Sequence, residues 1–499
     1  MIPIVVSIVA ISTLITLWVR SRKGRLPYPP GPPAEPLLGH LRALPKSYDE
    51  GAYREMANKY GGIIYLDVLG KSIVILNSEK IANELLDKRS AIYSDRPSLP
   101  FHEMTGLSNT LTLLPYGNNF LKTRKLLQDQ LTRKKCTLFN DIQLAQRSIL
   151  LQNLLLTPEN FGFHTKRFVT AVVLEIAYGR KVVADDDPFL VNAEVLDKLI
   201  AETGTAGLVI LDFLPFLKYL PPWVPGAWYS KFAQRARPII EAVKDYGIAV
   251  VQHDVASGKA QASFSSLHLE ELDSEKRNSK EELDRLKWTA FTLYSAGAET
   301  TWSALETFFL AMVLHPDAQR EIDQVIGHGQ LPGFEDQDNL PYLNSVVQEV
   351  VRWCPVIPLG MPHRVMQDDV YEGMLIPKGS MVLGNLRVML TNEEVYHDPF
   401  TFVPERFLPK PDGHGEPPPN VAFGFGRRVC PGRWLAQSEL WIAIASILSM
   451  FDIKPIQNDK GEDILPLPEF HNSITSHPKP FQCRVLPRSY KTKTVIEQL

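Results

Sequence analysis

Apolar positions recur at intervals of three and four along most of this chain and alternate with polar ones in only a few short runs. The helical spacing predicts helices from about Asn118 to Leu155, Arg167 to Tyr178, Tyr229 to Gln252, Arg285 to Leu314, Tyr342 to Trp353 and Trp434 to Met450. Strand-like runs occupy GIIYLDVLG, Gly62 to Gly70, and SIVILN, Ser72 to Asn77, close enough to pair as a hairpin, and a second hairpin is expected around VYEGMLIPKGSMVLGN. Ser257 to Asp284 is polar and serine-rich, which predicts an exposed connection. The fold class expected is mainly α with small β-sheets, α+β, in one large unit.

The first residues break this pattern. From Ile2 to Val19 run 18 residues without a charge, followed at once by RSRKGR, Arg20 to Arg25. As a helix the run spans roughly 27 Å, enough for a thin bilayer. A cleaved signal peptide is the alternative, but the cations follow the apolar run and no small-residue cleavage site is seen. The expectation is a transmembrane anchor at 2–19, a basic and Pro-rich linker at 20–40 and a body from 41 to 499, facing the cytosol because positive flanks stay inside. In LPYPPGPPAEPLLGH, Leu26 to His40, six prolines predict a stiff spacer.

Composition then removes several functions. A formal charge of -3 with 22% charged residues leaves no basic stripe for phosphates, so no nucleic-acid partner is expected. The cysteines, Cys136, Cys354, Cys430 and Cys483, are far apart, which excludes a dense disulfide framework and argues against structural zinc. No glycine-rich nucleotide fingerprint appears, so any electrons for redox chemistry must come from outside.

Cys430 stands in FGFGRRVCPGRW, Phe423 to Trp434, ahead of an apolar helix. A lone cysteine is more often an inert buried thiol. Here Gly424, Gly426 and Gly432 permit close backbone approaches, and a helix N-terminus flanked by Arg427, Arg428 and Arg433 is expected to favour the thiolate, the form that binds metal. An iron held by that sulfur within a wide flat cofactor fits this turn, with Phe423 beside the sulfur and Arg428 on an anionic edge.

Phe423, Gly426, Arg428, Cys430 and Gly432 match F-x-x-G-x-R-x-C-x-G, and in this the chain resembles the cytochrome P-450 family. The resemblance implies that family's fold, haem b as cofactor and Cys430 as axial ligand of the iron. It also implies a buried network of Glu349 and Arg352, from the E-x-x-R helix, with Arg406 of PERF, supporting the fold on the cysteine side. Glu282 and Arg285 spell E-x-x-R as well and are expected to form a surface helix pair.

On the opposite side, AGAETT, Ala296 to Thr301, resembles the family's oxygen-activation motif. Ala296 and Gly297 are expected to let cofactor and dioxygen approach the helix. Thr300 is expected to hydrogen-bond the Ala296 carbonyl and loosen the local ladder, and Glu299 to feed protons through water there. Thiolate donation and protons together favour heterolytic O–O cleavage and insertion of one oxygen atom. Arg124 in FLKTR, Arg96 in YSDRP, and His363 with Arg364 in MPHRV fall where the family places propionate contacts, although Phe120 replaces the usual tryptophan.

The segments PLGMPHRVMQDDVYEGMLIPKG and FGFGRRVCPGRWLAQSELWIAIASILSMFDI are similar to fungal members of secondary metabolism, including the O-methylsterigmatocystin oxidoreductase type. This implies a monooxygenase at the endoplasmic reticulum membrane, with a lipophilic small molecule, dioxygen and an NADPH-cytochrome P-450 reductase as partners, the last docking where Arg427 or Arg433 meets an acidic patch. Ser98 to Leu114, the Ala296–Thr300 face and Val356 to Met361 are candidate substrate walls. Ala206 to Trp223 is apolar enough for an access channel, a bilayer contact or simply core. The rival readings are a reductase-independent haem-thiolate isomerase or dehydratase, and a non-enzymatic haem-binding membrane protein.

Overall fold

The expected first hairpin forms from β1 (Ile63–Val68) and β2 (Lys71–Leu76), antiparallel with Ile63 opposite Leu76. Helix α1 (Glu50–Tyr60) precedes it, started by Asp49, whose side chain accepts from the Ala52 amide. In this computed structural model the described residues are 26–45, 48–202, 207–274, 279–315 and 329–499. The anchor expected at 2–19 lies outside them. Among the described residues no helix is long and apolar enough to cross a membrane.

The later strands finish the sheets. β3 (His363–Arg364), β4 (Asp369–Tyr371), β5 (Met374–Ile376) and β6 (Met381–Gly384) follow one another, β4 pairing with β5 as the second hairpin. The larger sheet has the order β1-β2-β6-β3, with β6 parallel to β2. The Pro-rich segment lies against this end of the molecule instead of standing off as a spacer. Pro30 accepts from the Tyr65 amide at 2.8 Å, Pro27 from that of Leu375 at 2.7 Å, and Tyr28 stacks on Tyr65.

The helical body begins with α2 (Pro100–Thr105), α3 (Asn118–Gln130), α4 (Asn140–Leu156), α5 (Phe161–Tyr178), α6 (Pro188–Glu202) and α7 (Trp228–Ala256). It continues with α8 (Phe264–Ser274), α9 (Lys280–Leu314), α10 (Pro341–Trp353) and α11 (Arg433–Met450). The chain ends in β7 (Phe451–Gln457), β8 (Asp463–Ile464), β9 (Phe470–Asn472), β10 (Ser476–Pro478), β11 (Cys483–Pro487) and α12 (Tyr490–Glu497). Helix α9 runs through the core, packed on α5, α7, α11 and β10. α11 is apolar on nearly every side and correspondingly buried, from Glu439 through Met450. Each fully buried Leu or Phe along these contacts contributes about 1.5–3 kcal/mol.

Two expectations are corrected. The helix from Asn118 to Leu155 is broken near Leu131, because the Thr132 hydroxyl accepts from the Lys135 amide and starts a new helical turn, Arg133–Cys136. Ser257 to Asp284 is not one exposed connection. It contains α8, with Phe264 and Leu269 buried, and its serines act as a start signal: the Ser266 amide donates to Ser263 Oγ and the Ser263 amide to Ser266 Oγ. Residues 280–284 already belong to α9, capped by Ser279.

Candidate active site

The cysteine turn is folded by its glycines, each for its own reason. The Cys430 amide donates to the Phe423 carbonyl at 2.8 Å, closing the loop beneath the sulfur. Gly424 and Gly426 hold φ values of 80° and 51°. A Cβ on Gly426 would also stand 2.4 Å from the Leu86 carbonyl oxygen, so this glycine serves the seam with residues 86–90 and not a cofactor face. Gly432 has ordinary backbone angles and borders the sulfur: a Cβ there would lie in ordinary contact, 3.9 Å from Cys430 Sγ. Burial pushes the Cys430 thiol above its ordinary range, against the pull of the Gly432 backbone and the Arg124 and Arg433 guanidiniums. The expected thiolate is therefore not a property of the turn alone. A bound metal deprotonates the sulfur it coordinates.

Three guanidiniums converge near this turn. Arg428 donates from Nε to Ser94 O at 2.7 Å and from Nη2 to Leu114 O at 2.8 Å, while its buried Nη1 has no partner. It lies 3.6 Å over the Phe120 ring, so the aromatic face survives where the indole donor is missing. Arg96 donates to the carbonyls of Thr112, Met361 and Pro362, and Arg124 to that of Val429 at 2.7 Å. Burial lowers all three, Arg428 to about 10; Arg428 and Arg124 depress Arg96 further, Arg124 depresses Arg428, and Arg433 depresses Arg124. His363 holds Nδ1 at 2.8 Å from the Tyr93 carbonyl, which requires its proton there and leaves Nε2 free of that bond; burial and then Arg96 lower its pKa. Arg364 differs from those three guanidiniums in having a carboxylate partner, Asp95, to which its Nε donates at 2.7 Å.

Across from the cysteine, α9 is continuous from Lys280 to Leu314 and is not loosened at the motif. Thr300 Oγ donates to Ala296 O at 2.8 Å, but Thr289, Thr292, Ser295 and Thr307 make the same bond four residues back. Exposure distinguishes this turn. Ala296 is exposed in the middle of a mostly buried helix, with Gly297 and Thr300 half-buried beside it. Gly297 is corrected: a Cβ there would meet Val173 methyls at 3.1 and 3.2 Å, so its missing side chain makes room for α5 and not for a ligand.

The bonds of Glu299 go to groups other than Thr300. Its Oε1 accepts from Thr475 Oγ at 3.0 Å and faces His477 Nε2 at 2.8 Å, while His477 Nδ1 lies 2.8 Å from Glu306 Oε2. Asp197 of α6 is in contact with Glu299 and is paired at 2.6 Å with Lys166 of α5. Sequence reasoning missed Asp197, Lys166, Glu306 and His477. The one visible signal was the seven-residue spacing that puts Glu299 and Glu306 on one face of α9.

Beyond the cysteine, Glu349, Arg352 and Arg406 meet fully buried. Glu349 accepts from Arg352 Nε at 2.7 Å and Nη2 at 2.8 Å, from Arg406 Nε at 3.0 Å and from the Val403 amide at 2.9 Å. Glu416, missed in sequence, joins Arg406 at 2.6 Å. The other E-x-x-R pair differs from expectation: Arg285 is buried and donates to Asn119 Oδ1 at 3.1 Å as well as pairing with Glu282.

A cysteine turn at the head of α11, beside buried guanidiniums with an unmatched donor, suits a flat anionic cofactor. Comparison with known proteins gives the family. The Cytochrome P-450 family model matches residues 29–485. The chain is 38% identical to Cytochrome P-450 monooxygenase 136 of Postia placenta, over 100% of this chain and 96% of that protein. It is 37% identical to monooxygenase ple1 of Rhodocybe pseudopiperita, covering 97% and 94%, and 37% to monooxygenase COX2 of Coprinopsis cinerea, covering 94% and 91%. The chain belongs to the cytochrome P-450 family. It is an oxidoreductase of the monooxygenase class with haem b as its cofactor. The residues fit that group: Arg428 Nη1 is an orphaned buried donor suited to a carboxylate, and Cys430 and Ala296 leave open faces.

Proposed function

We propose that this monooxygenase is anchored in the endoplasmic reticulum membrane and oxidises a lipophilic small molecule of fungal secondary metabolism, using electrons from an NADPH-dependent flavoprotein reductase. The observation that carries the site assignment is Cys430, set at the head of α11 beside guanidiniums that carry an unmatched buried donor. Bound haem b supplies the redox iron at which dioxygen is reduced and cleaved. Cys430 Sγ would bind its iron, and Arg428, Arg96, Arg124 and His363 would hold its carboxylates. Thr300 Oγ, on the open turn of α9, would orient water, and Glu299 would exchange protons with it.

Basic surface on the cysteine side supports the reductase. Arg133 and Lys134 are exposed, as is Arg427, and Arg133 and Arg433 both lie against the Trp434 ring. These charges suit an acidic docking face. For the membrane, Phe216, Tyr219 and Trp223 are 63%, 78% and 78% exposed, while Leu211 and Phe213 nearby are core. An exposed aromatic strip of this kind suits the headgroup region, next to an anchor at 2–19.

The test is the carbon-monoxide difference spectrum of reduced membranes carrying wild type or Cys430→Ser. A strongly red-shifted Soret band in wild type, lost or returned to the ordinary haem position in the variant, is expected. Folded, haem-loaded wild type without that band would overturn the thiolate assignment.

A further inference from the structure

Beside α9, next to the open turn, five ionisable side chains from four elements form one largely buried cluster. Lys166 comes from α5, Asp197 from α6, Glu299 and Glu306 from α9, and His477 from β10. Each side chain is between 10% and 19% exposed, Glu299 the least and Glu306 the most. Trp302 covers the group, its ring 4.5 Å from Lys166 Nζ and 4.7 Å from the His477 ring, and is itself fixed by a 3.2 Å bond to Gly162 O. β10 is held to α9 independently, by Ser303 Oγ on Ser476 O at 2.5 Å, so the place of His477 does not depend on its charge.

The count of charges is uneven. Three carboxyls face two cations, and Tyr294, the other titratable group near Asp197, is kept neutral by burial. A set of this kind, removed from water, is electroneutral only with one further proton. Hydrogen bonding locates it. Glu299 Oε1 has two partners, whereas buried Oε2 has no amide, hydroxyl, imidazole or ammonium donor; the carboxyl in contact with Glu299 is that of Asp197. A proton shared between the two carboxyls satisfies the orphaned oxygen.

We propose that this cluster is a proton store for Glu299, holding one exchangeable proton on the Asp197–Glu299 pair, with His477 as the positioning residue that keeps Glu299 aimed at the pair. The shared proton passes from Asp197 to Glu299 and from Glu299 to the water held at Thr300, leaving the cluster with one negative charge; a proton from solvent then reprotonates the Asp197 carboxyl and restores neutrality. Titration directions agree with this geometry. Burial and then the Glu299 charge raise Asp197 to about 7. His477, although burial opposes its charge, is raised to about 9 by Glu299 and Glu306, and despite burial its bond keeps Glu299 below the ordinary range. Burial raises Glu306, partly offset by His477.

This inference rests on the proposed role of Glu299 and Thr300 in proton supply, and the experiment separates the two. Full-length haem-loaded protein is titrated by infrared difference spectroscopy, and the ratio of hydrogen peroxide released to NADPH consumed is measured with reductase across the same pH range. Wild type should show a protonated carboxyl band that titrates near neutral pH and is absent in Asp197→Asn. Glu299→Gln removes the neighbouring charge and should lower that titration, whereas His477→Gln should raise it. The peroxide ratio should rise at least twofold in Asp197→Asn, and wild type should approach that value as pH rises through the titration. No such band, or a midpoint unmoved by Glu299→Gln, overturns the store. A peroxide ratio that changes in Glu299→Gln but not in Asp197→Asn overturns the inference while sparing the role of Glu299. No change in either would overturn that role itself. Retention of the red-shifted carbon-monoxide band serves as the folding control, and Lys166→Met, which should raise the Asp197 titration, replaces any variant that loses it.

Discussion

Two buried glutamates in this molecule have opposite surroundings. Glu349 is gripped by two guanidiniums and a backbone amide, and those guanidiniums spend their remaining donors on the carbonyls of Leu390, Pro399 and His397 and on Glu416. Glu299 is bound instead to a histidine and a threonine hydroxyl, next to a second carboxyl, with one oxygen lacking a fixed donor. Arginine keeps its charge and its fork geometry at any working pH, so the first arrangement has one state. Histidine and carboxyl exchange protons near neutrality, so the second has several. The difference teaches that burial alone does not make a carboxylate structural; the partners do.

The largest effect should come from breaking the saturated network. Glu349→Gln leaves buried Arg352 without a counter-charge and Arg406 with Glu416 alone, at a cost of about 3–5 kcal/mol. Against net stabilities of about 5–15 kcal/mol, the yield of protein with a red-shifted carbon-monoxide band should collapse. A variant whose urea midpoint falls by less than the equivalent of about 1 kcal/mol would break the comparison.

Next is the guanidinium set near the cysteine. Arg428→Leu removes the unmatched donor, and a charge-assisted bond of about 1.5–3 kcal/mol corresponds to roughly ten- to hundredfold faster haem loss to apomyoglobin. Arg364→Leu, whose residue is paired with Asp95 at the rim, should change that rate less than about threefold.

A smaller, pH-dependent effect belongs to the Glu299 side. His477 titrates near ~6.5 in the unfolded chain and at about 9 when folded, so its contribution is complete below ~6.5 and is lost as pH rises through about 9. Glu299 is lowered on folding, so its contribution is present above its unfolded value near ~4.3 and lost as pH falls below it. The Tm difference between wild type and His477→Gln should be widest between about pH 4.5 and 6.5 and should close by about pH 10. Its size should fall between the ~1 kcal/mol of an exposed pair and the ~3 kcal/mol of a fully buried one. A difference independent of pH would mean that His477 acts by packing alone.

The smallest effect is expected at Gly297. Alanine gains about 1 kcal/mol in helix propensity and loses about 1–3 kcal/mol against the Val173 methyls, so stability should fall by about 0–2 kcal/mol. Val173→Ala should turn Gly297→Ala favourable in the same urea titration.

Much of the fold was legible from spacing, because a helix that buries one face must repeat its apolar residues every three or four positions. α10 follows that rule, α9 and α11 are long apolar runs buried on most sides, and β1 and β2 are short runs of consecutive buried residues. What was misread were polar residues that close helices: Thr132 and the serines at 263 and 266 look like loop composition and act as caps. In the site, the cysteine turn, the Glu349 partners and the Thr300 bond were readable because their spacings are local or their order along the chain is distinctive.

By itself the sequence determined the family, the haem-binding cysteine motif and the main helices, since each is written in short-range pattern. Only the tertiary structure decided that Arg364 is already paired, that Gly297 and Gly426 serve neighbouring backbone and side chains, and that Glu299 faces His477 and Asp197. Those facts depend on which groups from positions 102 to 340 residues apart share a few ångströms. Close packing and the pairing of buried charge set them, and neither leaves a periodic trace along the chain.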